Sequence, residues 1–515
     1  MESSQQSMQG GEGDRADVVV IGAGFGGLGA ALRLAEQGAR VVLCESLKYP
    51  GGCAGTFDHK GYRFEAGATL SAGFAEGQLF QQWTERHGLD LHLEKLDPVV
   101  EPRTPSFELA VPSDRASAME RLAALPGAPE KRLRAFFDHQ RRVADITWSL
   151  LDTPSLLPPF GVSAALRHAA NLPRYLPVLR DLGRPLSSVI ERHGLADWQP
   201  LTTYLDALCQ ITAQCSTDRA EAVFALGTID YYFRGVAHVR GGLGQLAWEL
   251  VKAIRNAGSE VRFTDRVRGL EKTEDGDWRV RTRRGSIRAR AVIANLLPFA
   301  MRQLLPEGIE DRAAGPLRPQ LSKIESRVET GWGAAMLYRG VKAAADAGPE
   351  ARHLEIVVDE SEGFVEGNHV FCSISAADEE GRAPDGQRTM TVSTHVDMGR
   401  LYSLDDRGQA EYIDEVHRRM RSALARFLPE WENVAFEATA SPRTFERFTG
   451  RHRGFVGGIP RRAGFEALLD LWRRPALPEG IHCVGDSIFP GQSTLATALG
   501  GVRVADGISA QLARG

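Results

Sequence analysis

The apolar and polar positions of this chain form two units that repeat one order at opposite ends. After a polar, glycine-rich stretch over residues 1–15, which lacks the apolar core of a secretory signal and reads as a frayed tail, the pattern changes abruptly. Residues 17–21 (Asp-Val-Val-Val-Ile) are the β-branched run expected of a strand with both faces buried. They run into Gly22-Ala23-Gly24-Phe25-Gly26-Gly27, then into a helical stretch over 28–35 that stops near Gly38. Residues 40–45 predict a second strand ending on Glu45. Near the other end, residues 481–486 predict a buried strand ending in Gly485-Asp486. A loop to Ser493 and a helix rich in small residues from Thr494 follow.

Between these units the pattern predicts more elements. A helix running to about Asn256, a strand over 259–263 and a strand over 289–294 lie between them, an arrangement similar to that of a known protein family named below, in which the last strand re-enters the first unit. Residues 186–235 read as helices capping a tunnel. Residues 330–400 alternate in strand fashion, as in Met390-Thr391-Val392-Ser393-Thr394-His395, and predict an antiparallel sheet floor. Residues 145–180 interleave Trp148, Leu150, Leu151, Leu156, Leu157, Phe160, Leu166, Leu172, Leu176 and Leu179 with Arg167, Arg174 and Arg180. Two readings stay open there: an amphipathic element at a bilayer surface, or a proline-broken helical pair packed on the core, which the recurring prolines and modest charge favour.

Composition narrows the function classes. Lys and Arg number 62 against 66 Asp and Glu, a net charge of −4 that argues against nucleic-acid binding. No apolar run reaches membrane-spanning length. Six cysteines (Cys44, Cys53, Cys209, Cys215, Cys372, Cys483) are too sparse for a disulfide scaffold and read as buried free thiols. A cytoplasmic location follows, with a peripheral place on the inner membrane face left open. No metal-ligand cluster, Ser-His-Asp set or phosphate-binding loop of the nucleotide-hydrolase type is present.

The N-terminal unit carries its own chemistry. Gly22 permits the turn out of the strand, Gly24 brings backbone close to a pyrophosphate, and Gly27 lets helix and strand pack closely. The helix start offers free N–H groups to phosphate. Glu45, 23 residues after Gly22, can accept from ribose hydroxyls. Two further clusters, Gly51-Gly52-Cys53-Ala54-Gly55-Thr56 and Gly67-Ala68-Thr69, suit a cofactor that continues past its pyrophosphate toward a large ring. At the far end Asp486 can accept from ribityl hydroxyls. The helix start after Gln492, Ser493 and Thr494 can face the ring edge that gains negative charge on reduction. The reading is FAD, with no second nucleotide unit for NAD.

Together these residues resemble the carotenoid desaturase and isomerase branch of the amine-oxidase-like flavoproteins, which includes bacterial phytoene desaturases, carotene isomerases and retinol saturases. The resemblance rests on Gly22, Gly24, Gly27, Glu45, Gly51, Gly52, Ala54, Gly55, Thr56, Phe57, Gly67, Ala68 and Thr69, and on Gly485-Asp486-Ser487, Phe489, Pro490 and Gly491. It departs at Cys53, where a basic residue is usual in that branch. It implies a Rossmann-type, glutathione-reductase-like α/β domain with a parallel sheet, assembled from 16–100, 236–300 and 475–515. An inserted α+β substrate domain, 101–235 with 301–474, would carry the antiparallel sheet and the helical cap. It also implies that the backbone at Val267 contacts adenine, and that Phe25 and Gly26 belong to the cofactor turn.

The functional expectation is an FAD-dependent oxidoreductase acting on a long apolar polyene, by desaturation or by cis–trans isomerisation. A desaturase would pass its electrons to quinone or oxygen. Candidate acid–base groups are Glu65, Asp206, His238 and Arg240, each of which also has a plain structural role open to it. Two other readings are a flavin amine oxidase or similar small-substrate oxidase, which the apolar middle counts against, and a non-catalytic flavin-binding lipid-handling protein.

Overall fold

The computed structural model describes residues 14–158, 161–306, 317–342, 347–464 and 477–513. The tail expected over 1–15 lies outside the described residues up to 13. Asp14 and Arg15 are already strand, in register with Ile287 and Arg288.

The β-branched run builds the central strand Asp14–Ile21, whose Val18, Val19 and Val20 are fully buried. Around it lies a seven-stranded sheet in the order Glu260–Arg262, Val41–Cys44, Asp14–Ile21, Ser286–Ala294, Trp278–Thr282 and Val267–Lys272, with Ile481–Cys483 also pairing with Ser286–Ala294. The five strands that carry the glycine turn and its neighbours are parallel. The sheet is nevertheless not wholly parallel as expected: Val267–Lys272, Trp278–Thr282 and Ser286–Ala294 form an antiparallel meander. Turns this short cannot make the crossover that a parallel pair requires. The helices Phe25–Glu36, Leu243–Asn256 and Thr494–Leu512 pack together on the sheet through Leu28, Leu32, Leu246, Leu250 and Ala498.

The second sheet has the order Val434–Ala440, Trp332–Val341, Arg388–Asp397, His369–Ile374, Arg352–Val357 and Glu101–Arg103. It is antiparallel except at the last pair. Alternation gives it two unlike faces. Leu337, Leu354, Ile356, Val370, Val392 and Met390 pack on Val416, Met420 and Leu424 of the helix Asp406–Phe427. Tyr338, His353, Glu355, Ser373 and Thr391 occupy the other face, toward the first sheet and the cap. The cap is helical as expected: Leu186–Arg192, Gln199–Thr212 and Ala222–Ile229, joined by Glu130–Leu151, share one apolar core.

The packed-pair reading of 145–180 holds only in part. Trp148 and Leu157 are buried, but Val162, Leu166, Leu172, Leu176 and Leu179 are 81, 66, 56, 63 and 50% exposed; Phe160 lies outside the described residues. No described helix is long and apolar enough to cross a membrane.

Candidate active site

Parallel register puts the carboxyl ends of the central strands at one edge. Ile21 pairs with Cys44 and Ala294, and Ala294 with Cys483, so Gly22, Glu45 and Asn295 follow side by side, with Gly485 one residue further past its strand end. The Gly22 N–H donates to the Cys44 carbonyl (2.8 Å) and the Asn295 N–H to that of Ile21 (2.9 Å). Gly22 has φ +94°, and a Cβ on Gly27 would lie 2.0 Å from the Gly22 carbonyl oxygen, so the turn accepts no side chain there. No side chain caps the helix at Gly24, which leaves its first N–H groups facing out of the turn. A Cβ on Gly24 would meet Asn295 Nδ2 at 2.6 Å. This narrow gap, roofed by uncapped amides, fits a pyrophosphate. Phe25 contributes only backbone to it, because its ring packs edge-on against Phe80 at 6.0 Å.

Glu45 is 8% exposed, and its carboxylate accepts from the N–H groups of Ala23 (2.7 Å) and Leu47 (2.8 Å) and from the Ser46 hydroxyl (3.1 Å). It pins the glycine turn while Oε2, which accepts only from Ala23 N–H, keeps a lone pair for a ribose hydroxyl. Asp265 donates its N–H to the Glu45 carbonyl (2.8 Å), which brings Val267, two residues further on, near Glu45.

The second glycine cluster continues the wall. Gly51 N–H donates to the Ala23 carbonyl (2.8 Å), Ala68 N–H to that of Cys53 (3.2 Å), and Gly244 N–H to Thr56 Oγ1 (2.7 Å). Thr69 Oγ1 accepts from Ser373 of the second sheet (2.6 Å), and Ser71 is 2.6 Å from Thr494 at the C-terminal helix start. Ser493 caps that helix, accepting from Ala496 N–H (3.1 Å). Gln492 donates to the Ile211 carbonyl, and its Oε1 is buried without a partner. An orphaned buried acceptor just ahead of a helix start is what a missing polar ligand leaves behind. The two ends of the chain thus form one continuous groove that fits a dinucleotide with a ring beyond it.

Arg451, which the sequence reading did not single out, closes this wall. It donates to Asp486 Oδ2 (2.8 Å) and to the Phe455 carbonyl, and it contacts the Cys53 sulfur. Burial pushes the Cys53 thiol up, opposed by the Arg451 charge. A guanidinium therefore stands beside the position where a basic residue is usual, although it is carried almost 400 residues away.

The four acid–base candidates separate. Glu65 accepts from Arg382 Nη2 (2.7 Å), and His238 Nε2 lies 2.6 Å from Glu379 Oε1. Glu379 also accepts from the N–H groups of Gly241 and Ala376 (both 2.9 Å) and lies 3.6 Å from Arg382 Nε. All four side chains are buried, and the His238 ring lies against His353, which hydrogen-bonds Ser373 (2.7 Å). Burial and the His238 charge hold His353 well below the usual imidazole range, hence neutral. Glu65 and His238, each on a strand of a separate two-stranded sheet, therefore belong to one buried network centred on Glu379 and Arg382 in a loop of the second sheet. Arg240 sits on its partly exposed rim, paired with Asp378 (2.7 Å). Asp206 lies apart in the cap, where it accepts from Thr217 N–H (2.7 Å) and burial pushes its carboxyl up.

A family model described as an NAD(P)-binding Rossmann-like domain matches residues 20–86. The chain is similar to the chloroplastic prolycopene isomerase of Arabidopsis thaliana, 25% identical over 96% of this chain and 83% of that one. It is also similar to the phytoene dehydrogenase of Streptomyces griseus, 30% identical over 56% of this chain and 55% of the other. Among solved structures, cyclohexylamine oxidase of Brevibacterium oxydans has the same fold, with a TM-score of 0.62 at 15% identity, covering 97% of this chain and all of that one. With the two-ended glycine groove in hand, the chain is thus similar along nearly its whole length to a prolycopene isomerase and over about half of it to a phytoene dehydrogenase, on the fold seen in cyclohexylamine oxidase.

Proposed function

We propose that this chain is an FAD-dependent oxidoreductase acting on a long apolar polyene of the carotenoid class, by desaturation or by cis–trans isomerisation. The observation that carries the reading is that the alignment with the prolycopene isomerase runs along 96% of the chain, and so spans both the glycine groove and the second sheet. Bound in that groove, FAD supplies the two-electron chemistry by accepting or returning hydride.

The protein's own residues bind and orient. The uncapped start of Phe25–Glu36, with Gly22, Gly24, Gly26 and Gly27, holds the pyrophosphate; Glu45 takes the ribose and the Val267 backbone the adenine. Gly51, Gly52, Cys53, Ala54, Gly55, Thr56, Gly67, Ala68 and Thr69 line the path to the ring. Gly485, Asp486, Gln492, Ser493 and Thr494 close it from the other side. The apolar cap excludes water above the second sheet, and the Glu65–Arg382–Glu379–His238 network ties the short strands Tyr62–Glu65 and His238–Val239 to the loop between His369–Ile374 and Arg388–Asp397 of that sheet. Five exposed apolar side chains over 162–179, with exposed Arg167, Arg174 and Arg180 among them, give the cap a face suited to an anionic bilayer surface, where such a substrate partitions. A desaturase would then deliver electrons to a quinone or to oxygen.

The test is expression in bacteria that accumulate forty-carbon and thirty-carbon carotenoid precursors, with chromatography of the pigments. A changed bond count or cis–trans pattern with at least one precursor is expected. Unchanged pigments with every precursor, from a protein that carries FAD, would overturn the reading.

A further inference from the structure

The polar face of the second sheet carries a buried acid that neither the cofactor groove nor the Glu65–His238 network uses. Glu355 lies on Arg352–Val357, in register with Phe371 on one side and Pro102 on the other. It shares a face with His353, while Leu354 and Ile356 turn into the opposite core. Its neighbour Phe371 packs on the core of the cap, so Glu355 stands where sheet and cap meet.

Glu355 is fully buried. Its Oε1 accepts from the Tyr232 hydroxyl (3.0 Å), carried on the short turn Asp230–Phe233 at the end of a cap helix. Its Oε2 has no hydrogen-bond partner. The adjacent Tyr231 donates its hydroxyl to the Leu70 carbonyl (3.3 Å), directly after Thr69 of the groove. The titratable groups facing Glu355 are Tyr232, the buried Tyr204 of Gln199–Thr212, and His353 on its own strand. Burial raises the carboxyl to about 7, against the hydrogen bond from Tyr232. A glutamate placed here only for structure would be an expensive choice, since an unpaired buried acid is poorly tolerated and glutamine fills the same volume. A buried acid with one orphaned oxygen, held by a cap tyrosine where sheet and cap meet, is instead what proton handling requires.

We propose that Glu355, oriented by Tyr232, is the proton-carrying group for the polyene, with Oε2 facing a substrate carbon. The proposal rests on the polyene reading above. In a desaturation, hydride leaves one carbon to the flavin as oxidant. The C–H bond on the adjacent carbon breaks, its electron pair becomes the new C=C bond, and its proton forms an O–H bond on Oε2 before passing to water.

The test uses the FAD-loaded enzyme with Glu355→Gln, Glu355→Asp and Tyr232→Phe. Infrared difference spectra across neutral pH should show a protonated-carboxyl band that titrates in the parent and is absent in Glu355→Gln. Glu355→Gln should keep its FAD and lose turnover by roughly a hundredfold or more. Glu355→Asp should retain part of it, and guards against a Gln variant that fails to fold. Tyr232→Phe should move the turnover inflection to higher pH, because the lost bond stabilised the ionised form. Glu355→Gln with parental turnover and pH profile, or a titrating band that persists in it, would overturn the proposal alone. A parent that holds FAD yet converts no polyene would overturn the polyene reading, and the proposal with it.

Discussion

Replacing Glu379 with glutamine should cost the fold about 3 kcal/mol near neutral pH and progressively less toward acid. Burial by itself would push this carboxyl up. The hydrogen bond and charge of His238, the Arg382 guanidinium and the Gly241 N–H outweigh it and bring the group from 4.5 down to about 2. Every tenfold gain in acidity corresponds to about 1.4 kcal/mol of preference for the ionised form in the folded protein, which gives the figure above. The sign is that of a depressed acid: the stabilisation is complete above the unfolded value near 4.5 and is lost as pH falls from there toward 2. Glutamine also turns an amide donor toward groups that already donate, leaving at least one of Gly241 N–H, Ala376 N–H or His238 short of an acceptor. Guanidinium unfolding of the FAD-loaded protein, followed by circular dichroism over a pH series, measures the difference directly. A variant within about 0.5 kcal/mol of the parent at neutral pH, or a gap that widens toward acid, would refute the reasoning.

Three further outcomes are expected. Gly27→Ala should yield protein without yellow colour, since its Cβ would sit 2.0 Å from the Gly22 carbonyl oxygen and drive helix and turn apart; stoichiometric flavin absorbance would count against the groove. Arg451→Met should weaken FAD binding roughly tenfold to hundredfold in a flavin fluorescence titration, the scale of a lost charge-assisted bond, by releasing Asp486; an unchanged dissociation constant would remove Arg451 from the site. Leu166→Glu with Leu176→Glu should abolish co-sedimentation with anionic vesicles at unchanged FAD content, because both side chains are more than 60% exposed; undiminished co-sedimentation would move the membrane face elsewhere.

The groove was readable in the chain because its signals are local. Gly22, Gly24, Gly27 and Glu45 fall within one strand–turn–helix–strand run, and Gly485 to Thr494 within a second. What the chain concealed depends on partners brought from far away. Asn295 follows a buried strand that was expected, yet its place against Gly24 exists only once two distant strands pair. Glu379 and Arg382 stand in Asp378-Glu379-Glu380-Gly381-Arg382, a stretch that reads as a solvated loop, and both are buried because Glu65 and His238 meet them from other elements. Arg451 sits in a polar arginine-rich run with nothing local to mark it. Glu355 is one acid in an otherwise alternating strand, and only the cap's Tyr232 reveals its setting. The meander at the sheet edge was missed for a related reason, since strand direction is decided by turn length and pairing more than by apolar pattern.

The central claim is tested most directly by mixing the FAD-loaded protein, without oxygen, with a carotenoid-type polyene in anionic vesicles while recording flavin absorbance and product composition. The account predicts bleaching of the oxidised flavin with formation of a polyene carrying one more double bond, or, when the flavin is reduced beforehand, a changed cis–trans pattern with no net electron uptake. A polyene left unchanged by both oxidised and reduced enzyme, with bleaching instead by a primary amine, would contradict it.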